Sequence, residues 1–182
     1  SPYEFDRGNK TKDFPLFTKA SQFTDDTVMA IAVAEAFLDS PREEAILKER
    51  LVAAIHRYGT AYPDAGYGGR FAMWLFLKST EPYNSCGNGS AMRVSPVGWM
   101  ADSLDEALEL AKDTAMPTHN HPEGILGAQV VAGCIFLLRQ GKSKDEIRAW
   151  VEEMGYPMNV TISDRQKTYK FDVTCRGSVP EA

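Results

Sequence analysis

Phe23-Thr24-Asp25-Asp26-Thr27 runs straight into Val28-Met29-Ala30-Ile31-Ala32-Val33-Ala34-Glu35-Ala36-Phe37-Leu38. The apolar residues recur with a helical period, so 24–39 reads as a buried helix, closed by Ser40-Pro41. A row of hydroxyl, carboxylate, carboxylate and hydroxyl therefore stands at the N-terminus of an element anchored in a core. Oxygen-only ligands on a rigid element suit a hard divalent cation such as Mg²⁺ or Ca²⁺. The same residues also make a good helix start. Thr24 is a suitable N-cap, and Asp25 and Asp26 complement the helix dipole. A cation here faces the positive end of that dipole, so the carboxylates have to outweigh it. Three protein oxygens do not fill an octahedral shell, and a metal site needs ligands from elsewhere.

Outward from this helix the same period continues. Ile46, Leu47, Leu51, Val52, Ala54 and Ile55 predict a helix over 42–58, with charged residues between them. Helix is also expected from Phe71 to Leu77 and over 91–100. Ser103-Leu104-Asp105-Glu106 and Ser143-Lys144-Asp145-Glu146 are capping boxes, opening helices to about 115 and 154. Glu123 to Gln140 is strongly apolar and is expected to be central, with Gly141 as its stop. Residues 155–176 show no clear period, and Thr161 to Val173 reads as extended or irregular. Pro180-Glu181-Ala182 looks like a first helical turn. Residues 1–22 are polar and irregular. No strand–helix alternation, repeat or linker interrupts the pattern, so the expectation is one all-α domain over 1–182.

The 182 residues are 43% hydrophobic and 25% charged, with a net charge of −5 and a pI near 5.3. One domain with a sizeable core fits that length, and no basic footprint for nucleic acid is present. No apolar run approaches membrane-spanning length and no signal pattern opens the chain, so no membrane partner is expected. Cys86, Cys134 and Cys175 are far apart and make no C-x-x-C pair, which points to a reduced, cytoplasmic protein. The chain has no starting Met, which suggests trimming.

Ser85-Cys86-Gly87-Asn88-Gly89-Ser90 is the second chemical segment. Glycines flanking an asparagine before a helix let backbone N–H groups approach a phosphate. The sequence equally suits a plain turn with Ser90 as N-cap. Arg70 and Arg93 can assist an anion or serve structure. Thr118-His119-Asn120-His121-Pro122 breaks the chain between two helices, where a His can orient a substrate or cap a helix end.

Taken in order, Phe23-Thr24-Asp25-Asp26-Thr27, Gly66-Tyr67-Gly68, Gly87-Asn88-Gly89-Ser90-Ala91-Met92-Arg93, Thr118-His119-x-His121-Pro122 and Gly177-Ser178-Val179-Pro180 resemble the ADP-ribosylglycohydrolase family, which includes the dinitrogenase reductase-activating glycohydrolase. The resemblance covers essentially the whole chain. It implies an all-α bundle with two Mg²⁺ or Mn²⁺ ions at the base of a cleft. Thr24, Asp25 and Asp26 match the first metal-ligand cluster, and Glu4 matches an acidic residue near the metals. Ser85, Cys86, Gly87, Asn88 and Gly89 match the loop around the ADP-ribose phosphates and ribose. Tyr67 and Gly68 match a second cleft-lining loop, and His119 a substrate-side histidine. Two departures stand out. The family's Gly/Asp-containing helix before Ser1 is absent, and so is a later Asp-x-Asp-Thr segment carrying further metal ligands. The expectation is a fragment, incomplete at both ends.

The resemblance implies a metal-dependent hydrolase that removes ADP-ribose from a modified side chain by cleaving the glycosidic bond at the distal ribose. Glu4, Asp25 or Asp26 would act as base or stabilise an oxocarbenium-like centre. Its partner would be an ADP-ribosylated protein or an ADP-ribose-containing small molecule. The missing ligands suggest that residues 1–182 alone are inactive, bind metal weakly and associate through uncovered apolar faces. The alternatives are a non-catalytic ADP-ribose-binding or structural module and, less directly, a metal-dependent phosphoesterase.

Overall fold

The computed structural model describes residues 13–15, 17–38 and 44–182, the last stretch with side chains from 46 onward. Among these residues the architecture is all-α, with one isolated antiparallel bridge, Gly87 to Thr174, in place of a sheet.

The opening helix α1 spans Asp25–Leu38 and buries Val28, Met29, Ala32, Val33, Ala36 and Phe37. Those positions form one continuous apolar stripe, which is why the sequence folds here as a core helix. Helix α2, Glu44–Ala61, lies against it and contributes Leu47, Leu51, Ala54 and Ile55 to the same core. Helix α3, Gly69–Phe76, adds Trp74 and Leu75. Ile31 and Leu38 on α1 stay exposed, as do Phe76 and Leu77 beyond it.

The segment expected as one helix over 91–100 is two. Helix α4 spans Gly89–Met92 and α5 spans Ser95–Met100, parted at Arg93 and Val94. Pro96 lies in the first turn of α5, and it has no N–H to continue a helix from the preceding turn.

Helix α6, Leu104–Ala115, begins as expected at Ser103, whose Oγ accepts from the Glu106 N–H at 3.1 Å. Helix α7, Pro122–Arg139, is the axis of the fold and packs against α4, α5 and α6. Helix α8, Lys144–Glu153, has the full capping box of Ser143 and Glu146 and also packs on α7. Helix α7 is also the exception to the expectation that no apolar run approaches membrane-spanning length. It has 18 residues with a mean hydropathy of 1.3, enough by length and composition alone. Here its Gly124, Gly127, Ala128, Val130, Ala132, Gly133 and Phe136 are buried inside the domain.

Residues expected to be extended or irregular contain helix α9, Ile162–Thr168, whose start is capped by Thr161 accepting from the Asp164 N–H at 3.2 Å. None of its residues is buried. A helix with no buried face has no apolar period to show, so the sequence pattern was silent there. Helix α10, Cys175–Ser178, and a 3-10 turn, Val179–Glu181, close the chain against α7.

Candidate functional site

The first ligand cluster sits where α1 begins. The Thr24 carbonyl accepts from the Val28 N–H at 3.1 Å, as an N-cap carbonyl does. Its hydroxyl donates to Asp26 Oδ2 at 2.9 Å. The Asp25 N–H donates to the Ala65 carbonyl at 2.8 Å, which fastens the 62–68 loop across the helix start. Gly66 makes that loop possible: its φ of +96° is the left-handed region other residues avoid. Phe23 meets Tyr62 edge-on, with ring centroids 5.5 Å apart.

Tyr67 is thereby carried next to Asp25. Its hydroxyl is buried with no hydrogen-bond partner among the described residues. Burial, and then the Asp25 charge, push the phenol up to about 12, so it stays protonated. Gly68 follows as the N-cap residue of α3, in open space. Glu4 lies outside the described residues. Among those described, no group of three or more His, Cys, Asp or Glu converges on one point. The donor set of Thr24, Asp25 and Asp26 thus fits Mg²⁺ or Mn²⁺ in kind, because every atom is a hard oxygen, and is partial in number.

The glycine loop is built by two distant segments. From one side, the Ser85 N–H donates to the Thr118 carbonyl at 3.3 Å, and the Asn84 N–H to Asn120 Oδ1 at 2.8 Å. From the other, residues 172–178 grip it. The Asn88 N–H donates to the Val173 carbonyl at 2.8 Å, and the Cys175 N–H to the Cys86 carbonyl at 3.0 Å. The Cys175 thiol donates to the Gly87 carbonyl at 3.1 Å, and Asn88 Nδ2 to Ser178 Oγ at 3.0 Å. Asp172 holds this clamp in shape by accepting from both the N–H and the hydroxyl of Thr174, at 2.7 Å each. Those bonds keep its carboxyl below the usual range.

The Gly87 N–H is taken by Ser85 Oγ at 3.1 Å, the Asn88 backbone N–H by the Val173 carbonyl, and one of the two Asn88 Nδ2 protons by Ser178 Oγ. The helix behind the loop is four residues long, so its dipole is small. The loop also presents His119. A Cβ added at Gly89 would lie 3.0 Å from His119 Nε2, and one added at Gly87 would lie 3.7 Å from it. The two glycines keep that nitrogen uncovered.

His119 is 5% exposed. Burial, then the charges of Arg93 and Arg70, bring its pKa down to about 3, so the ring is neutral at physiological pH. Nδ1 lies 2.7 Å from Thr118 Oγ1. Arg93 is 1% exposed and donates from Nη2 to Thr118 Oγ1 at 2.9 Å and to the Thr114 carbonyl. Among the described residues its Nε has no partner, and no carboxylate lies within ion-pair reach. Burial lowers Arg93 to about 10, still protonated.

Two contributors escaped sequence reasoning. Tyr83 places its ring 6.2 Å from the His119 ring, and Arg70 lies 4.9 Å over the Tyr83 ring while donating to its carbonyl. The 172–178 clamp is the other. Asp172-x-Thr174 is a local turn signal that could have flagged it. The structure therefore brings Ser85, Cys86, Gly87, Asn88, Gly89 and His119 into one constellation, and Thr24, Asp25, Asp26 and Tyr67 into another. Helix α4 packs against α1 between them.

The chain matches the family model described as ADP-ribosylglycohydrolase over residues 1–172. It is 32% identical over 147 residues to ADP-ribosylhydrolase ARH3 of Homo sapiens, a match covering 71% of this chain and 39% of that protein. The Bos taurus ARH3 is 32% identical over 167 residues, covering 82% and 43%. ADP-ribosylarginine hydrolase Tri1 of Serratia proteamaculans is 26% identical over 145 residues, covering 72% and 39%. The chain thus spans about two fifths of the length of these relatives. A match over nearly its whole length, on a helical architecture that assembles the expected glycine loop and histidine, makes this chain a member of the ADP-ribosylglycohydrolase family.

Proposed function

We propose that this chain forms the ADP-ribose-binding part of a metal-dependent hydrolase, which removes ADP-ribose from modified protein side chains by cleaving the glycosidic bond at the distal ribose. The observation that carries the reading is the meeting of His119 Nε2 with Gly87 and Gly89. A buried, neutral imidazole edge beside a side-chain-free loop, under the charges of Arg93 and Arg70, suits a phosphate ester. Relatives named as ADP-ribosylhydrolases support it. The substrate would be an ADP-ribosylated protein or an ADP-ribose-containing small molecule.

Thr24, Asp25 and Asp26 would hold Mg²⁺ or Mn²⁺, which supplies Lewis acidity and orients hydroxyl groups. Asp25 or Asp26, with Glu4, would serve as base or stabilise positive charge at the anomeric carbon. The protonated Tyr67 hydroxyl beside Asp25 would donate a hydrogen bond to that carboxylate or to bound substrate. The reduced cysteines suit a reducing compartment such as the cytoplasm.

A second reading, binding without turnover, is favoured by the two-carboxylate cluster, which is small for two divalent ions. The assay, on the whole protein that carries this chain, is release of free ADP-ribose from an ADP-ribosylated protein with millimolar Mg²⁺, beside calorimetric titration with ADP-ribose. Release supports the hydrolase, binding without release supports the module, and neither would sink both.

A further inference from the structure

We infer that Arg93 and Thr118 fix the His119 imidazole as its Nε2–H tautomer, making it a neutral hydrogen-bond donor aimed at a phosphate oxygen held over Gly87 and Gly89. The ligand in this statement rests on the function proposed above; the tautomer does not.

Thr118 is fully buried. Its hydroxyl has one proton to give and two lone pairs to accept with. Arg93 is donor-only, so the bond from Nη2 at 2.9 Å must end on a Thr118 lone pair. The hydroxyl proton still needs an acceptor, and leaving it unpaired in the interior is costly. Nδ1 of His119, at 2.7 Å, is the acceptor among the described residues. Were Nδ1 protonated instead, the hydroxyl would accept twice and its own proton would have no partner. Nδ1 therefore carries the lone pair, and the ring proton is on Nε2.

The consequence lies on the other edge of the ring. Nε2 has no hydrogen-bond partner among the described residues and faces the positions where Gly87 and Gly89 leave out a side chain. A lone pair at Nε2 would repel a phosphate oxygen, whereas an N–H attracts it. Arg93 thus acts on the ligand twice: directly, as a buried positive charge with no carboxylate in ion-pair reach among the described residues, and indirectly, by setting the proton through Thr118. Thr118 and Arg93 are positioning residues, not catalytic ones.

The test is the ring ¹⁵N spectrum of His119 in this chain at pH 7, followed by ADP-ribose titration, for the wild type, Thr118→Val and Thr118→Ser. The wild type and the serine variant are expected to show an unprotonated Nδ1 and a protonated Nε2. The valine variant should lose that uniform state and bind ADP-ribose about tenfold more weakly, the size of one hydrogen bond. An Nδ1–H ring or an imidazolium in the wild type would overturn the inference. So would a valine variant with unchanged tautomer and affinity. The wild-type spectrum decides the tautomer even if the valine variant does not fold. An Nε2–H ring in a wild type that ignores ADP-ribose would uphold the Arg93–Thr118 lock and defeat the proposed ligand.

Discussion

Asn88 donates from Nδ2 to Ser178 Oγ at 3.0 Å, tying the glycine loop to a residue ninety positions downstream. Ser178 Oγ in turn donates to the Thr174 carbonyl at 2.6 Å, so the bond reaches into the turn that Asp172 shapes. Asn88→Ala and Ser178→Ala should each destabilise the fold by about 1 kcal/mol, the usual scale for a hydrogen bond. Because both remove the same bond, the double variant should lose less than the sum. Urea unfolding of the four proteins measures this, and strictly additive losses would mean the bond carries no coupling.

Helix α7 must let α10 come close for that clamp to seat. A Cβ at Gly127 would lie 2.8 Å from Cys175 Cβ and strike its sulfur as well. Gly127→Ala should therefore overpack this contact and cost roughly 1–3 kcal/mol. A lowered thermal midpoint is the expected readout; a midpoint at or above the wild type would show that α10 gives way freely.

Stability should fall as the medium is acidified from neutrality. His119 has a folded pKa near 3, against about 6.5 when unfolded. Below pH 6.5 the unfolded chain binds the extra proton and the folded chain does not, so the loss grows between pH 6.5 and 3. At pH 5 this one group should remove about 2 kcal/mol relative to pH 7.5. Denaturant titrations at both values measure the loss, and His119→Asn should flatten the dependence. An equally steep profile in that variant would assign the acid sensitivity to other groups.

Asp25→Asn with Asp26→Asn should abolish what affinity the α1 terminus has for Mg²⁺, since a cation would then face the helix dipole unopposed. Calorimetric titration with Mg²⁺ reads this. Equal affinity in the wild type and the double variant would reduce the pair to a helix start.

Most of the helices were legible because each buries one face, and burial imposes a period on the sequence. Helices α1, α2 and α7 show this, and the boxes at Ser103 and Ser143 marked two further starts. Helix α9 was illegible because it buries nothing. The break between α4 and α5 follows from Pro96, which has no N–H to carry the helix through an otherwise helical pattern. At the site, the glycine loop and His119 stood out as residue types. Their mutual approach did not, because residues 85–89, 118–120 and 172–178 meet only through the fold. The same holds for Arg93, which looks like any surface arginine in sequence yet is 1% exposed.

The loop at Gly87 and Gly89, faced by His119, is proposed to hold the phosphates of ADP-ribose. Calorimetric titration of the wild type and Gly89→Val with ADP-ribose tests it most directly, with circular dichroism to verify the helical fold of both. A valine there puts its Cβ 3.0 Å from His119 Nε2 and fills the space the glycine leaves. Saturable binding by the wild type and at least about tenfold weaker binding by the folded variant are expected, the loss of one or more hydrogen bonds. Equal affinity in a folded Gly89→Val, or no binding by the wild type, would contradict it.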